Sequence, residues 1–175
     1  MDKAKIGIIL GSARDLPHAR KIGDVLNELD VAFEVTIASA HRTPDDAANY
    51  AKNARSRGLE TIIAVAGLSA ALPGAIAAQT TLPVIGVPVE SGSLLGMDAL
   101  LSTAMMPPGV PVASVGINAS ANAALLAARI VASHDAPLAD RLQQYADKKA
   151  KSVRAARTDE KSFDGLPMAP AEALE

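Results

Sequence analysis

The fold is indicated by the stretch Ile6-Gly7-Ile8-Ile9-Leu10-Gly11-Ser12-Ala13-Arg14-Asp15-Leu16-Pro17. Its first five residues form a continuous apolar run, which is typical of a strand buried on both faces of a parallel sheet. A glycine and a serine end this run, and Pro17 suits the first turn of a helix. A buried strand followed at once by a helix predicts a βα unit, the repeating element of an α/β protein.

The same alternation recurs along the rest of the chain. We predict further strands at 32–37, 61–65, 83–87 and 112–117 and helices at 45–57, 70–80, 96–104, 120–133 and 138–157. Five strands alternating with helices predict a three-layer sandwich with a parallel sheet, and right-handed crossovers leave few topologies, the flavodoxin-like order among them. We expect one domain over residues 1–157 and a mobile tail over 158–175.

Composition narrows the classes of function. The 175 residues are 49% hydrophobic, with a formal net charge of −2, two Phe, two Tyr and no Trp or Cys. A weakly acidic chain without stacking aromatics gives no reason to expect nucleic-acid binding. The absence of Cys excludes disulfides and thiolate chemistry. The first apolar run is too short for a signal peptide, and no run reaches the roughly 20 residues of a membrane span. We therefore expect a cytoplasmic protein without a membrane partner.

Ligands of open parallel sheets bind at the carboxyl ends of the strands. In this chain those ends are the loops 11–15, 39–44, 66–73 and 88–94. Gly11-Ser12 precedes a helix N-terminus, where exposed N–H groups hold phosphates, although many such turns contain these residues for steric reasons alone. Asp15 either caps the helix or accepts hydrogen bonds from ribose hydroxyls.

The loop after the second strand is the richest in chemistry. It reads Ser39-Ala40-His41-Arg42-Thr43-Pro44. A histidine suits proton transfer near neutral pH, and an arginine offers a fixed fork for a phosphate or carboxylate. The alternative is a surface loop in which Thr43 merely caps the next helix.

The other two histidines are placed less well for chemistry. His18 lies in the first turn of the first helix and is expected at the surface. His134 follows the helix at 120–133, where a cation stabilises the helix dipole. His41 is therefore the best-placed acid–base candidate, and the scattering of the three histidines speaks against a metal site.

Taken together, several strings resemble the PurE family over about residues 5 to 155. These are Gly11-Ser12-x-x-Asp15, Ser39-Ala40-His41-Arg42-Thr43-Pro44, Ala66-Gly67 with Leu72-Pro73-Gly74, Gly86-Val87-Pro88-Val89, the segment 95–102, Met106-Pro107-x-Gly109-Val110-Pro111-Val112 and the segment 122–127. The resemblance implies a flavodoxin-like sandwich assembled into a homo-octamer. It also implies conversion of N5-carboxyaminoimidazole ribonucleotide to 4-carboxyaminoimidazole ribonucleotide in purine biosynthesis, without metal or organic cofactor.

The resemblance also implies the roles of the site residues. Ser12, Asp15 and Arg42 would hold the phosphoribosyl end, and His41 would move the proton between nitrogen and carbon. The small residues from Gly67 to Gly74 would enclose CO2. The remaining predicted substrate-binding residues are Ser39, Arg14, Gly67, Ser69 and Ala70.

Two positions depart from the mutase pattern. Arg14 stands where a second serine is usual, and Ala71 stands where a histidine is usual. The string at 66–69 favours the branch that carboxylates aminoimidazole ribonucleotide directly with CO2, whereas the strings at 86–89 and 106–112 favour the mutase. A related carboxylase acting on another nucleotide is a third alternative. A non-catalytic receiver is set aside because the third strand does not end in Asp.

The predicted helix at 138–157 is polar with a sparse apolar stripe. The stripe consists of Leu138, Leu142, Tyr145 and Val153. We expect it to pack against a neighbouring subunit.

Overall fold

The computed structural model describes residues 3–170 and 173. The strands are β1 (Ile6–Leu10), β2 (Phe33–Ile37), β3 (Thr61–Gly67), β4 (Val84–Val89) and β5 (Ala113–Ser114). The helices are α1 (Leu16–Glu28), α2 (Pro44–Arg57), α3 (Leu72–Ala77), α4 (Met97–Ala104), α5 (Ser120–Ala132), α6 (Ala136–Thr158) and α7 (Glu160–Phe163). All strand pairings are parallel, in the order β2-β1-β3-β4-β5. This order is the flavodoxin-like one, as predicted.

The helices cover both faces of the sheet, because successive residues of a buried strand point to opposite faces. Ile8 and Val65 face a core formed with α1 and α5. Ile9 and Ala64 face a second core formed with α2 and α3. Every residue of β1 and β4 is buried, which explains their continuous apolar sequences. The predicted three-layer sandwich is confirmed.

The register brings the ends of three strands together. Leu10, the last residue of β1, pairs with Ile37 of β2 on one side and with Val65 of β3 on the other. The chain leaves β2 on one side of β1 and re-enters the sheet as β3 on the other. This reversal creates a crevice between the loops that follow β1, β2 and β3, the usual position of a ligand in such sheets.

Two elements are shorter than their sequence patterns predict. β5 has two residues instead of six, because it is an edge strand that pairs only with β4 and is preceded by Pro111, which has no N–H to donate. α3 spans Leu72–Ala77 instead of residues 70–80. Tight bonds from Ala70 N–H to the Leu68 carbonyl, 2.8 Å, and from Ala71 N–H to the Ser69 carbonyl, 2.6 Å, replace its expected first turn.

Helix α6 packs on its own chain. Leu138 is fully buried, and Leu142 and Tyr145 lie against the core formed by α1, α5 and the sheet. The expectation that this stripe packs against a neighbouring subunit is therefore wrong for Leu138, whereas Leu142 and Tyr145 are half-buried and Val153 is 70% exposed. The predicted mobile tail, 158–175, lies partly outside the described residues. Within the described part of the chain, no helix is long and apolar enough to cross a bilayer.

Candidate active site

A cavity of about 800 Å³ lies at the carboxyl edge of the sheet. The loops that follow β1, β2, β3 and β4 all contribute to its wall, as the strand-end rule predicts. A volume of this size suits a small organic ligand. Of the predicted site residues, those that line it are Ser12, Arg14, Asp15, Ser39, His41, Arg42, Gly67 and Ser69.

The loop after β1 presents a buried carboxylate. Ser12 Oγ accepts a hydrogen bond from the Arg14 N–H at 3.2 Å and so shapes a short 3-10 turn over Ala13–Asp15. Asp15 is only 8% exposed. Burial raises the pKa of its carboxyl group, against the opposing effects of His18, the Ser12 backbone N–H and Arg42. A buried acceptor that faces a cavity is suited to take hydrogen bonds from a ligand.

The loop after β2 is tied to the loop after β1 by Arg42. Its Nη2 donates to the Gly11 carbonyl oxygen at 3.0 Å, and its backbone N–H donates to Ser39 Oγ at 3.2 Å. Thr43 Oγ1 accepts from the Ser39 N–H at 2.9 Å and makes no capping bond to α2. The alternative in which Thr43 merely caps the helix is therefore wrong, because its hydroxyl closes the loop itself.

His41 lies between these tied residues and has an exposed side chain. Among residues 3–170 and 173, no side-chain hydrogen bond restrains its imidazole ring. The ring thus borders the cavity beside a fixed guanidinium and can approach a bound ligand.

The loop after β3 forms the apolar wall. A Cβ at Gly67 would lie 3.1 Å from the Val89 carbonyl oxygen and 3.3 Å from Ser91 Cβ, so a larger residue would press on the loop after β4. Ala71 and Leu72 also line the cavity. Ala70 does not: the tight turn before α3 directs it into the core, where it is 1% exposed. Its predicted contact with substrate is therefore not supported by its position.

The cavity also contains residues that the sequence did not single out. His18, expected at the surface, is half-buried in the cavity wall, and burial lowers the pKa of its imidazole. His18 follows Asp15 by three residues, the spacing at which side chains in a helical turn are neighbours, and this spacing is the sequence signal that could have placed His18 beside Asp15. Glu90 also lines the cavity and is held by Asn118, which accepts from the Glu90 N–H at 3.0 Å and donates to Glu90 Oε2 at 3.1 Å.

The third histidine is elsewhere. His134 Nε2 lies 2.8 Å from Glu60 Oε2, outside the cavity wall. Within the described ranges, no three His, Asp or Glu side chains come together in a way that could hold a metal ion.

The strand order places the chain among flavodoxin-like proteins. Its cavity lies at the carboxyl edge of the sheet, where proteins of this fold usually bind their ligands. The family model described as AIR carboxylase matches residues 5–152. The chain belongs to this family, and the resemblance seen in the sequence is confirmed.

Two relatives and one solved structure show how similar the chain is to known members. It is 47% identical to the N5-carboxyaminoimidazole ribonucleotide mutase of Pyrococcus horikoshii, over 93% of each chain. It is 50% identical to the protein of the same name from Bacillus subtilis, over 85% of this chain and 93% of the relative. The crystal structure of Treponema denticola PurE superimposes with a TM-score of 0.82 at 31% identity, covering 89% of this chain and 98% of that one.

Proposed function

We propose that the chain is an N5-carboxyaminoimidazole ribonucleotide mutase of purine biosynthesis, which forms 4-carboxyaminoimidazole ribonucleotide. The observation that carries the proposal is the cavity at the β1–β3 reversal, where two imidazoles, two guanidinium groups and a buried carboxylate meet. The names of the two relatives supply the reaction. We place this activity in one domain that ends with α6.

The phosphoribosyl end of the substrate fits the side of the cavity formed by the loops after β1 and β2. The guanidinium of Arg42 carries five N–H groups, so some remain unused after its bonds to Gly11 and Ser39. These donors suit a phosphate, and Arg14 adds a second cation at the exposed rim. Ser12 and Ser39 add hydroxyl groups. Asp15, an acceptor, suits the ribose hydroxyls.

The reaction needs one proton carrier. When the carboxylate leaves N5 as CO2, the nitrogen takes up a proton. When C4 then bonds to CO2, the ring carbon releases a proton, so the two transfers balance. A single imidazole can serve first as the acid and then as the base. His41 is the candidate, because its unrestrained ring borders the cavity.

The released CO2 must stay in the cavity until C4 captures it. The side chains of Leu68, Ala71 and Leu72 beside Gly67 make this part of the wall apolar, which disfavours competing water. Ser69 adds one hydroxyl to this wall. Because Ala70 lies in the core, the wall that would enclose CO2 consists of residues 67–69 and 71–72.

To test this, purified protein is incubated with N5-carboxyaminoimidazole ribonucleotide and, separately, with aminoimidazole ribonucleotide plus bicarbonate, and formation of 4-carboxyaminoimidazole ribonucleotide is measured. We expect efficient product formation from the first substrate. Efficient turnover only of the second would make the chain a direct carboxylase. Turnover of neither would refute both and favour a carboxylase of another nucleotide.

The role of His41 is tested by His41→Asn. We expect at least a ~100-fold loss in kcat with substrate affinity retained, the usual effect of removing a positioned acid–base group. His134→Asn is the matched control, since His134 lies outside the cavity wall. Near-normal kcat in His41→Asn would contradict the assignment.

We also propose a cytoplasmic homo-octamer that works without metal or organic cofactor. Support for assembly comes from large apolar side chains that lie exposed on α4 and directly before and after it. They are Leu94, Leu95, Met97, Leu101 and Met105, between 50% and 77% exposed. A cluster of this kind is typical of a protein interface. Light scattering should give the octamer mass, and a monomer would refute the assembly.

A further inference from the structure

His18 is a titratable group in the cavity that the proposed mechanism does not use. It lies on α1, one turn beyond Asp15, and its ring forms part of the cavity wall. Its Nδ1 lies 2.8 Å from Oγ of Ser120, the first residue of α5. Ser120 is 1% exposed, so this contact fixes the ring orientation from inside the protein.

The partner of Ser120 determines which ring nitrogen carries the proton. Within the described residues, the contact with His18 is the only hydrogen bond of the Ser120 hydroxyl. A buried hydroxyl hydrogen needs an acceptor. Nδ1 accepts it when the neutral ring carries its proton on Nε2. The Ser120 contact therefore favours the tautomer with an N–H group on Nε2.

The surroundings of His18 keep its ring neutral near pH 7, chiefly through burial, which lowers its pKa. Burial and Lys21 lower its pKa, and Asp15 opposes them. The first turn of α5, residues 120–123, contains no charged side chain. The loop after β2 contributes Arg42, whose charge also acts on Asp15. His18 is thus a neutral donor in a cavity whose other strong donors are cationic.

No hydrogen bond joins Nε2 of His18 to another residue in the described part of the chain. A donor beside a buried carboxylate, in the wall of a ligand cavity, is suited to a ligand oxygen. We propose that His18, oriented by Ser120, binds the substrate by donating its Nε2–H to an oxygen of the phosphoribosyl group next to Asp15. This inference rests on the proposed ribonucleotide substrate.

Two amide substitutions, each of which matches the position of one ring nitrogen, separate this binding role from a structural one. In His18→Asn the amide occupies the position of Nδ1, so the variant keeps the Ser120 contact and loses the cavity donor. In His18→Gln the amide nitrogen reaches the position of Nε2, so the variant keeps the donor and loses the Ser120 contact. We expect His18→Asn to raise KM about tenfold or more, the usual effect of losing a hydrogen bond to a charged or polar ligand group. We expect His18→Gln to raise KM less than His18→Asn does, because it keeps the donor and loses only its orientation by Ser120, with kcat little changed in both.

Ser120→Ala tests whether the serine acts through the histidine. We expect it to raise KM in the wild-type background and to have no further effect on KM in the His18→Asn background. Thermal unfolding of each variant provides the structural readout. A purely structural role for His18 predicts the reverse ranking, with wild-type KM in His18→Asn and an unstable His18→Gln, and would overturn the proposal.

The failure of this inference differs from the failure of the proposed function. If wild-type protein converts the ribonucleotide and His18→Asn has an unchanged KM, only the role of His18 is refuted. If the wild type neither converts the ribonucleotide nor binds 4-carboxyaminoimidazole ribonucleotide in calorimetry, the proposed substrate itself is wrong, and the role of His18 falls with it.

Discussion

Replacement of Arg42 by lysine tests how the cavity recognises the phosphoribosyl end. The substitution keeps the positive charge but removes the planar fork of donors. It deletes the bond from Nη2 to the Gly11 carbonyl oxygen, 3.0 Å, and the long contact from Nε to Ser39 Oγ, 3.5 Å. The backbone bond from the Arg42 N–H to Ser39 Oγ is unaffected.

The expected effect on stability is small and that on binding is large. The lost protein contacts are exposed, so we expect the free energy of unfolding to fall by no more than about 1 kcal/mol. If a paired contact to the phosphate is reduced to a single point charge, about 1.5–3 kcal/mol of binding free energy is lost, which corresponds to roughly a 10- to 150-fold rise in KM. Because His41 is unchanged, we expect kcat to stay within about threefold of wild type.

Steady-state kinetics with N5-carboxyaminoimidazole ribonucleotide and thermal unfolding provide the two measurements. Arg55→Lys is the matched control, because the Arg55 guanidinium donates to Thr81 Oγ1 at 3.0 Å, outside the cavity wall. A wild-type KM in Arg42→Lys would refute the phosphate role. A fall in stability of several kcal/mol would show instead that the Gly11 bond holds the fold.

Two further substitutions test the cavity wall. Because burial raises the pKa of Asp15, its ionised carboxylate destabilises the folded state at pH values above the ordinary carboxyl pKa. Asp15→Asn should therefore raise the unfolding temperature at pH 7, with no such gain below about pH 4, and should raise KM at least about tenfold. A lower unfolding temperature of the variant at pH 7 would contradict this. Gly67→Ala places a methyl group 3.1 Å from the Val89 carbonyl oxygen. We expect it to lower the free energy of unfolding by about 1–3 kcal/mol and to raise KM. Unchanged denaturant unfolding and kinetics would show that the loop after β4 moves to accommodate the methyl group.

The fold could be predicted because its central strands are buried on both faces. The apolar runs of β1 and β3 have no polar alternation, so they indicate a parallel sheet covered by helices. β5 was predicted too long because its apolar residues lie at the sheet edge, where only one neighbour offers backbone partners. The apolar stripe of α6 was recognised, but its periodicity carries no information on which surface covers it.

The sequence predicts which loops form the site but not the position of every residue in them. The strand-end rule needs only the order of elements, so it gave the four loops that line the cavity. His18 was misplaced because its burial depends on Ser120, 102 residues away in the sequence. Ala70 was misplaced because a positive φ of 54° at Leu68 and the tight turn that follows direct the chain inward. The contact with Ser120 and the tight turn before α3 leave no local pattern of their own in the sequence.

The restraints in the cavity differ in a way that matches the division of labour in the proposed reaction. Arg42 is tied to Gly11 and His18 to Ser120, so the groups proposed to hold the substrate are oriented before it binds. His41 has no comparable side-chain tie among the described residues. A proton carrier that serves first the exocyclic nitrogen and then the adjacent ring carbon must approach two atoms of one immobile substrate. A free imidazole ring beside fixed binding groups meets that requirement, whereas a ring held as firmly as His18 would reach only one of them.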